Sequence, residues 1–480
     1  MTFPVARRKI LGALGLVTTG KVFAQLLSWS ITIVVMRWLT PSDYGLSATI
    51  FAVLTLLTAL FDYVLITQLV RLPGNVRRRR DAYEGFGLTI AAVSCVVMLT
   101  VGQIYGSSRD DDSIKTGMWL MSLYVFLIPL RIGPEAEVLR SMKFSVQLQI
   151  TLLASIAGAL TTLVSAALGA GFHALLFGPI VRELLLVIGY RLRTSLRFKP
   201  SFSPRRLRSV FRRSKPLMAT ELIGQAGGAA PVLIYAQYFT STEVGYFSTA
   251  TYWALVPLSR VMNVVNQVAL PVFAATRREI GAVRAEHLLL PIHLMLLVTV
   301  PTYIILASMA PELVRVVLGE PWLPMAGMLT LFCLPVPLRS VLAFLAGPLQ
   351  ANAKDQVLVK MQLAQLACTL LGAYVAIQLP FSSLGAVHVI ASTIGLAWAT
   401  AVGAAALALP VEPLVKVAIR TVVIAVIAVA IVFSQKALTD QSNALVSLLL
   451  PSASFAVLFA LMVAILDPVI RARIRPTHRP

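Results

Sequence analysis

Arg37-Trp38-Leu39-Thr40-Pro41-Ser42-Asp43-Tyr44-Gly45 has a counterpart two hundred positions later, Gln237-Tyr238-Phe239-Thr240-Ser241-Thr242-Glu243-Val244-Gly245. Each stretch joins two long apolar runs and reads as helix, Thr-x-x-acid-x-Gly turn, helix. The parallel extends upstream, where Lys21 and Gln25 stand four apart in the first copy and Glu221 and Gln225 in the second. A polar residue partway along an apolar helix, repeated in a second half, is the sequence sign of a transporter whose two halves move against each other.

The whole chain fits that reading. Of 480 residues, 58% are apolar and 13% charged, and the mean hydropathy is +0.83. A soluble domain carries about 25% charged residues. Apolar stretches of about 20 residues, the length that crosses a bilayer core of ~30 Å, recur along the sequence. They predict an all-α polytopic membrane protein of about 14 transmembrane helices, with about twelve as the alternative count. The last two spans, near 419–434 and 444–466, are blurred by Pro410 and Pro413.

Lys and Arg set the orientation. With the N-terminus inside, they crowd the inner loops: Arg7 to Lys9, Arg71 and Arg77 to Arg80, Arg140 and Lys143, the run Arg191 to Lys215, and the tail from Arg471. The outer loops hold Arg109, Lys115, Arg315 and Lys436, beside the acidic run Asp110 to Asp112. Both termini are therefore expected in the cytoplasm. The net charge of +21 then faces membrane lipids with anionic headgroups. It is spread over many short segments without interleaved aromatics, which argues against a nucleic-acid partner. Arg7-Arg8-Lys9 before an apolar run imitates a signal peptide, but Lys21 beside the apparent cleavage site and the repeat running across it argue for retention.

No metal site, cofactor or enzyme is expected. Cys95, Cys333 and Cys368 lie inside spans without ligand spacing, and His287 and His293 do not share a helical face. There is no Walker A motif, Gly-rich nucleotide loop or nucleophile–base pattern.

Ionisable side chains inside a membrane are costly and mark cavities or partners. Here they are Lys21, Asp62, Arg182, Glu183, Glu221, Arg260 and Arg339, with Arg37 and Arg131 near span ends. At 1.5 Å per residue, Lys21, Asp62, Arg260 and Arg339 lie roughly 22–27 Å below the outer ends of their helices. They also belong to polar stripes: Thr18, Lys21, Gln25, Ser28 and Thr32 on the first helix; Thr55, Thr58 and Asp62 on the second; Glu221, Gln225 and Gly228 on the seventh; Arg260, Asn263 and Gln267 on the eighth. Such faces suit a water-filled cavity. An excess of fixed cations there suits an anionic headgroup, because Arg pairs with phosphate oxygens through its planar fork. Structural ion pairs, Lys21 with Glu221 or Asp62 with Arg260, and snorkelling toward the inner interface remain open alternatives.

Gly20-Lys21-x3-Gln25, Met36 through Gly45 and the segment Leu139-Arg140-Ser141-Met142-Lys143-Phe144 resemble the polysaccharide-exporter (Wzx-like) flippases. These belong to the multidrug/oligosaccharidyl-lipid/polysaccharide exporter superfamily. The motifs cover the first ~150 residues; length and two-half layout match throughout. The resemblance implies two pseudo-symmetric six-helix bundles, 1–190 and 216–408, around a central cavity, joined by a basic cytoplasmic linker at 191–215. Residues 409–480 would form two extra helices and a basic tail. It further implies alternating-access transfer of undecaprenyl-diphosphate-linked oligosaccharide repeats across the bacterial inner membrane. A polysaccharide polymerase and export machinery would be partners. Lys21, Arg260 and Arg339, with Gln25 and Asn263, are the substrate-binding candidates; Asp62 and Glu221 are candidates for ion coupling. Glu221 in place of Lys21, and Gln237 in place of Arg37, count against a symmetric site. A lipid II flippase and a small-molecule or drug antiporter of the same superfamily are the alternatives.

Overall fold

The computed structural model describes residues 28–71, 76–109, 112–194, 198–280, 284–438 and 444–466, and these are helical with short connections. They form two compact units, Met1–Gly245 and Tyr246–Pro480. Among the described residues, eight helices are long and apolar enough to span a membrane, or nine when one bent pair is counted as a span. The chain is a multi-pass, all-α membrane protein; the figure of about 14 spans stays an expectation.

The first unit begins with α1 (28–38) and α2 (Pro41–Thr58). The turn between them is a capping box. Thr40 Oγ1 accepts from the Asp43 backbone N–H at 3.2 Å, while the Thr40 backbone N–H donates to Asp43 Oδ2 at 2.8 Å. The second copy repeats it: Glu243 N–H to Thr240 Oγ1 is 3.3 Å, and Thr240 N–H to Glu243 Oε2 is 2.9 Å. Orphan amides of both helix starts are thus satisfied without water. The two turns also touch. A Cβ on Gly45 would run into the Ser241 carbonyl oxygen, and one on Gly245 into the Pro41 carbonyl oxygen.

The second helix, expected to carry Thr55, Thr58 and Asp62 on one face, is two helices. It breaks at Ala59–Phe61, where Leu60 N–H bonds Leu57 O and Phe61 N–H bonds Thr58 O in a tightened turn. Asp62 therefore opens a new helix, α3 (Asp62–Arg71), where a carboxylate suits the positive helix end. It does not continue the stripe of Thr55 and Thr58. Helices α4 (Val76–Arg109), α5 (Asp112–Leu127) and α6 (Pro129–Arg140) follow. Their core joins Phe61, Leu65 and Leu69 to Met118, Met121, Val125 and Ile132.

Helices α7 (Phe144–Ala167) and α8 (His173–Leu192) form a tight hairpin. A Cβ on Gly158 would lie 2.8 Å from the Gly178 carbonyl oxygen, and one on Gly178 would lie 2.7 Å from the Gly158 carbonyl oxygen. Between apolar helices in lipid, such close approach supplies the packing that water would otherwise drive. The chain then crosses the start of α4 and the end of α8. Ser201 N–H donates to the Asp81 carbonyl at 2.7 Å, and a Cβ on Gly85 would collide with the Ser201 carbonyl. The Arg191 guanidinium lies 4.7 Å over the Phe198 ring and donates to the Leu130 carbonyl at 2.7 Å. Helix α9 (Pro204–Tyr238) starts inside the expected linker. Pro204 suits a first helical position, and Leu207, Val210, Ser214 and Met218 make a stripe facing the unit.

Helix α10 (Ser241–Ile280) leads into the second unit. There α11 (Glu286–Ser308), α12 (Ala310–Val317) and α13 (Ala326–Cys333) precede α14 (Val336–Ala351). Pro335 and Pro337 mark a bend of 52° before α14, as their missing amide and fixed φ require. Helices α15 (Asp355–Ala376) and α16 (Phe381–Ala406) form this unit's close hairpin, where a Cβ on Gly395 would sit 2.9 Å from Cys368 Cβ. Helices α17 (Val411–Leu438) and α18 (Ala444–Leu466) complete the chain's described part.

Replacing Gly178 by Leu should separate α7 from α8 and destabilise the protein by about 1–3 kcal/mol. Thermal unfolding in detergent reads this directly. A midpoint equal to the native one would mean that the glycine contact does not hold the hairpin.

Candidate functional site

The structure gathers charges in the first unit, with Arg131 of α6 at the centre. Nη2 donates to Asp62 Oδ1 of α3 at 2.7 Å. Nη1 donates to Glu135, one turn further along α6, and Nε to Glu183 of α8. Every guanidinium nitrogen thus serves a different carboxylate, on three helices. The Glu183 side chain is 0% exposed, that of Asp62 32%, so the cluster runs from sealed interior to an accessible edge. Glu183 Oε2 is buried with no hydrogen-bond partner among the described residues. Arg182, which reaches Ser155 Oγ at 3.5 Å, adds an attractive field at Glu135 and Glu183.

Chemically, one fixed guanidinium against three carboxylates is an acid-rich site whose outer member, Asp62, water can reach. Neighbouring carboxylates in a dry interior resist being charged together. The arrangement is therefore equipped to exchange a cation at its edge while Arg131 holds the geometry.

The other candidates fare differently. Asp62 pairs with Arg131. Glu221 on α9 accepts a hydrogen bond from Gln225 Nε2 at 2.9 Å. Lys21 and Gln25 lie outside the described residues. Arg260 and Asn263 occupy α10, but their side chains lie outside the described ones. Arg339 on α14 is half-buried, has no ion-pair partner among the described residues, and lies within electrostatic reach of Tyr303 and His388. The Tyr303 hydroxyl also accepts from the Leu258 backbone N–H at 2.8 Å. That bond ties α11 to α10 within the second unit. Tyr303 also lines an apolar cavity of about 750 Å³, with Leu296, Cys333, Pro337 and Val422 among the others; Arg339 is not one of its lining residues.

Glu135 escaped the sequence reading, and Arg131 was ranked only as a residue near a span end. The signal was the spacing Arg131-x3-Glu135, which places both on one helical face. Among the described residues, no group of three or more His, Cys, Asp or Glu could hold a metal ion.

The family model described as "Polysaccharide biosynthesis protein" matches residues 34–327, more than half the chain. The chain belongs to this family. Among its curated relatives is the succinoglycan biosynthesis transport protein ExoT of Rhizobium meliloti (strain 1021). It is 22% identical over 308 residues, covering 62% of this chain and 61% of ExoT. The lipopolysaccharide biosynthesis protein WzxC of Escherichia coli (strain K12) is 21% identical over 329 residues, covering 68% of this chain and 67% of WzxC. The alignments thus span about three fifths to two thirds of these relatives. In fold, the chain is similar to a lipid II flippase MurJ in an inward closed conformation, with TM-score 0.76 and 12% identity, covering 96% of this chain and 100% of that one. An inward-facing MATE transporter of the MOP superfamily gives TM-score 0.59 at 13% identity, covering 81% and 95%.

Substituting Arg131 by Met should leave its carboxylates uncompensated and cost about 3–5 kcal/mol. Adding Glu183→Gln should recover part of that loss. Chemical denaturation in detergent measures both, and an Arg131→Met protein as stable as the native one would remove Arg131 from the centre of the site.

Proposed function

We propose that this protein moves undecaprenyl-diphosphate-linked oligosaccharide repeats from the inner to the outer leaflet of the bacterial inner membrane, by alternating access. The observation that carries the reading is family membership over residues 34–327. The names of ExoT and WzxC place those relatives in succinoglycan transport and lipopolysaccharide biosynthesis. The termini are cytoplasmic in this reading, the bundles are 1–190 and 216–408, and a polymerase and export machinery take the product.

In this scheme the diphosphate is captured by cations. Arg339 supports the assignment: it is half-buried and has no ion-pair partner among the described residues. A guanidinium so placed suits a diphosphate, whose oxygens take a bidentate donor. Lys21, Gln25, Arg260 and Asn263 complete the binding set, each from the sequence stripe it belongs to. Asp62 and Glu221 serve ion coupling. Asp62 is the better placed of the two, as the accessible edge of the acid-rich cluster around Arg131.

Neutralising Lys21, Arg260 and Arg339 together should abolish translocation without loss of protein. The assay is a liposome carrying a short-chain polyprenyl-diphosphate oligosaccharide, with appearance of the sugar on the opposite face as readout. Full activity in the triple variant would discard the site and keep the function. Native protein that moves lipid II but none of several oligosaccharide lipids would reassign the cargo to the reading that the MurJ-like fold favours.

A further inference from the structure

The Thr-x-x-acid-x-Gly turns that disclosed the repeat have no role in substrate capture. Their packing gives them one. Gly45 and Gly245 sit where any Cβ would strike the main chain of the other copy. Gly45 would meet the Ser241 carbonyl and Gly245 the Pro41 carbonyl. Residue 241 is the repeat equivalent of residue 41, so the contact is reciprocal, each glycine seated on the first helical residue of the opposite turn. Both turns belong to the first unit as the chain divides. A contact that relates equivalent residues in both directions has a local two-fold axis running through it.

Two further features make the contact a fitted one. Each turn is held rigid by its own capping box, so neither can flex to admit a side chain. One helical turn below the glycines, Thr49 is 2% exposed and bonds back to the Gly45 carbonyl at 3.0 Å, while its equivalent Thr249 is 4% exposed. Thr49 is therefore out of reach of water while the turns stay closed. The Lys and Arg distribution puts both turns at the outer face.

We propose that the Gly45–Gly245 clasp is the outer closure of the translocation pathway, and that it parts each time cargo is released outward. The proposal rests on the transporter reading but not on the identity of the cargo. Because the turns meet main chain to main chain, closure depends on hydrogen at both Cα atoms. A side chain at either glycine forces the turns apart and favours the outward-open state, as any change that raises the energy of one conformer shifts the population to the other.

The test uses a single reporter cysteine, Thr49→Cys, in full-length protein whose Cys95, Cys333 and Cys368 are replaced by Ala. A membrane-impermeant maleimide is added to the outer face of intact cells. The reporter should label slowly with both glycines intact, and at least about tenfold faster with Gly45→Val or Gly245→Val. Gly245→Ala serves if a valine variant fails to accumulate. Gly85→Val, which disturbs a glycine contact with Ser201 instead, controls for general loosening and should leave the rate unchanged. Labelling that does not rise, rises equally with Gly85→Val, or rises only from the cytoplasmic side would overturn the proposal. Liposome translocation is scored separately: a native protein that carries no polyprenyl-linked sugar but shows the glycine-dependent labelling loses the proposed cargo and keeps the clasp.

Discussion

A guanidinium surrounded by helices has no water to fall back on. Arg131 can exist where it does only because Asp62, Glu135 and Glu183 converge on it, and the convergence fixes three helices at once. Helix α3 must begin at Asp62, α6 must present Arg131 and Glu135 on one face, and α8 must turn Glu183 inward. The desolvation cost of a buried charge is repaid only by near-complete pairing, so the cluster tolerates few arrangements. The core around Phe61, Met121 and Ile132 packs where those helices are already held.

Away from that cluster, helices associate through small residues. Gly158 with Gly178, and Gly395 with Cys368, bring backbones close in the two hairpins. The same device appears at the paired turns. In lipid, apolar side chains gain little from leaving one another's neighbours, so intimate contact replaces hydrophobic drive. The protein therefore uses two kinds of glue: a charged knot in the first unit, and smooth seams where glycines meet.

Much of this was legible in the residues. Thr40-x-x-Asp43-x-Gly45 and Thr240-x-x-Glu243-x-Gly245 predicted a repeated helix–turn–helix, and both turns formed, each closed by a capping box that the structure added. Other features were hidden for physical reasons. The break at Ala59–Phe61 contains no Pro or Gly, so a depth count run through it treated Asp62 as mid-helix. Its true partner sits on another helix, and no local spacing reveals a contact between residues 62 and 131. Helix α9 began early because a basic run reads as linker until the apolar stripe at Leu207, Val210 and Met218 is aligned on a helix. For Arg339 the sequence placed a charge at depth; only the fold brought Tyr303 and His388 within electrostatic reach of it.

The strap over the start of α4 and the end of α8 limits where this molecule can bend. Ser201 is bonded to Asp81 and seated on Gly85, and α9 starts at Pro204. Hardly any slack chain separates the fastening from the helix. The chain from Ser201 to Pro204 is thus a weld rather than a tether, and the foot of α9 is held to α4. Any tilting of the upper part of α9 has to be absorbed within the helix, and its two internal prolines, Pro216 and Pro231, are the points where the backbone ladder is already interrupted. Bending at those points falls within a helix, where a loop would ordinarily be sought.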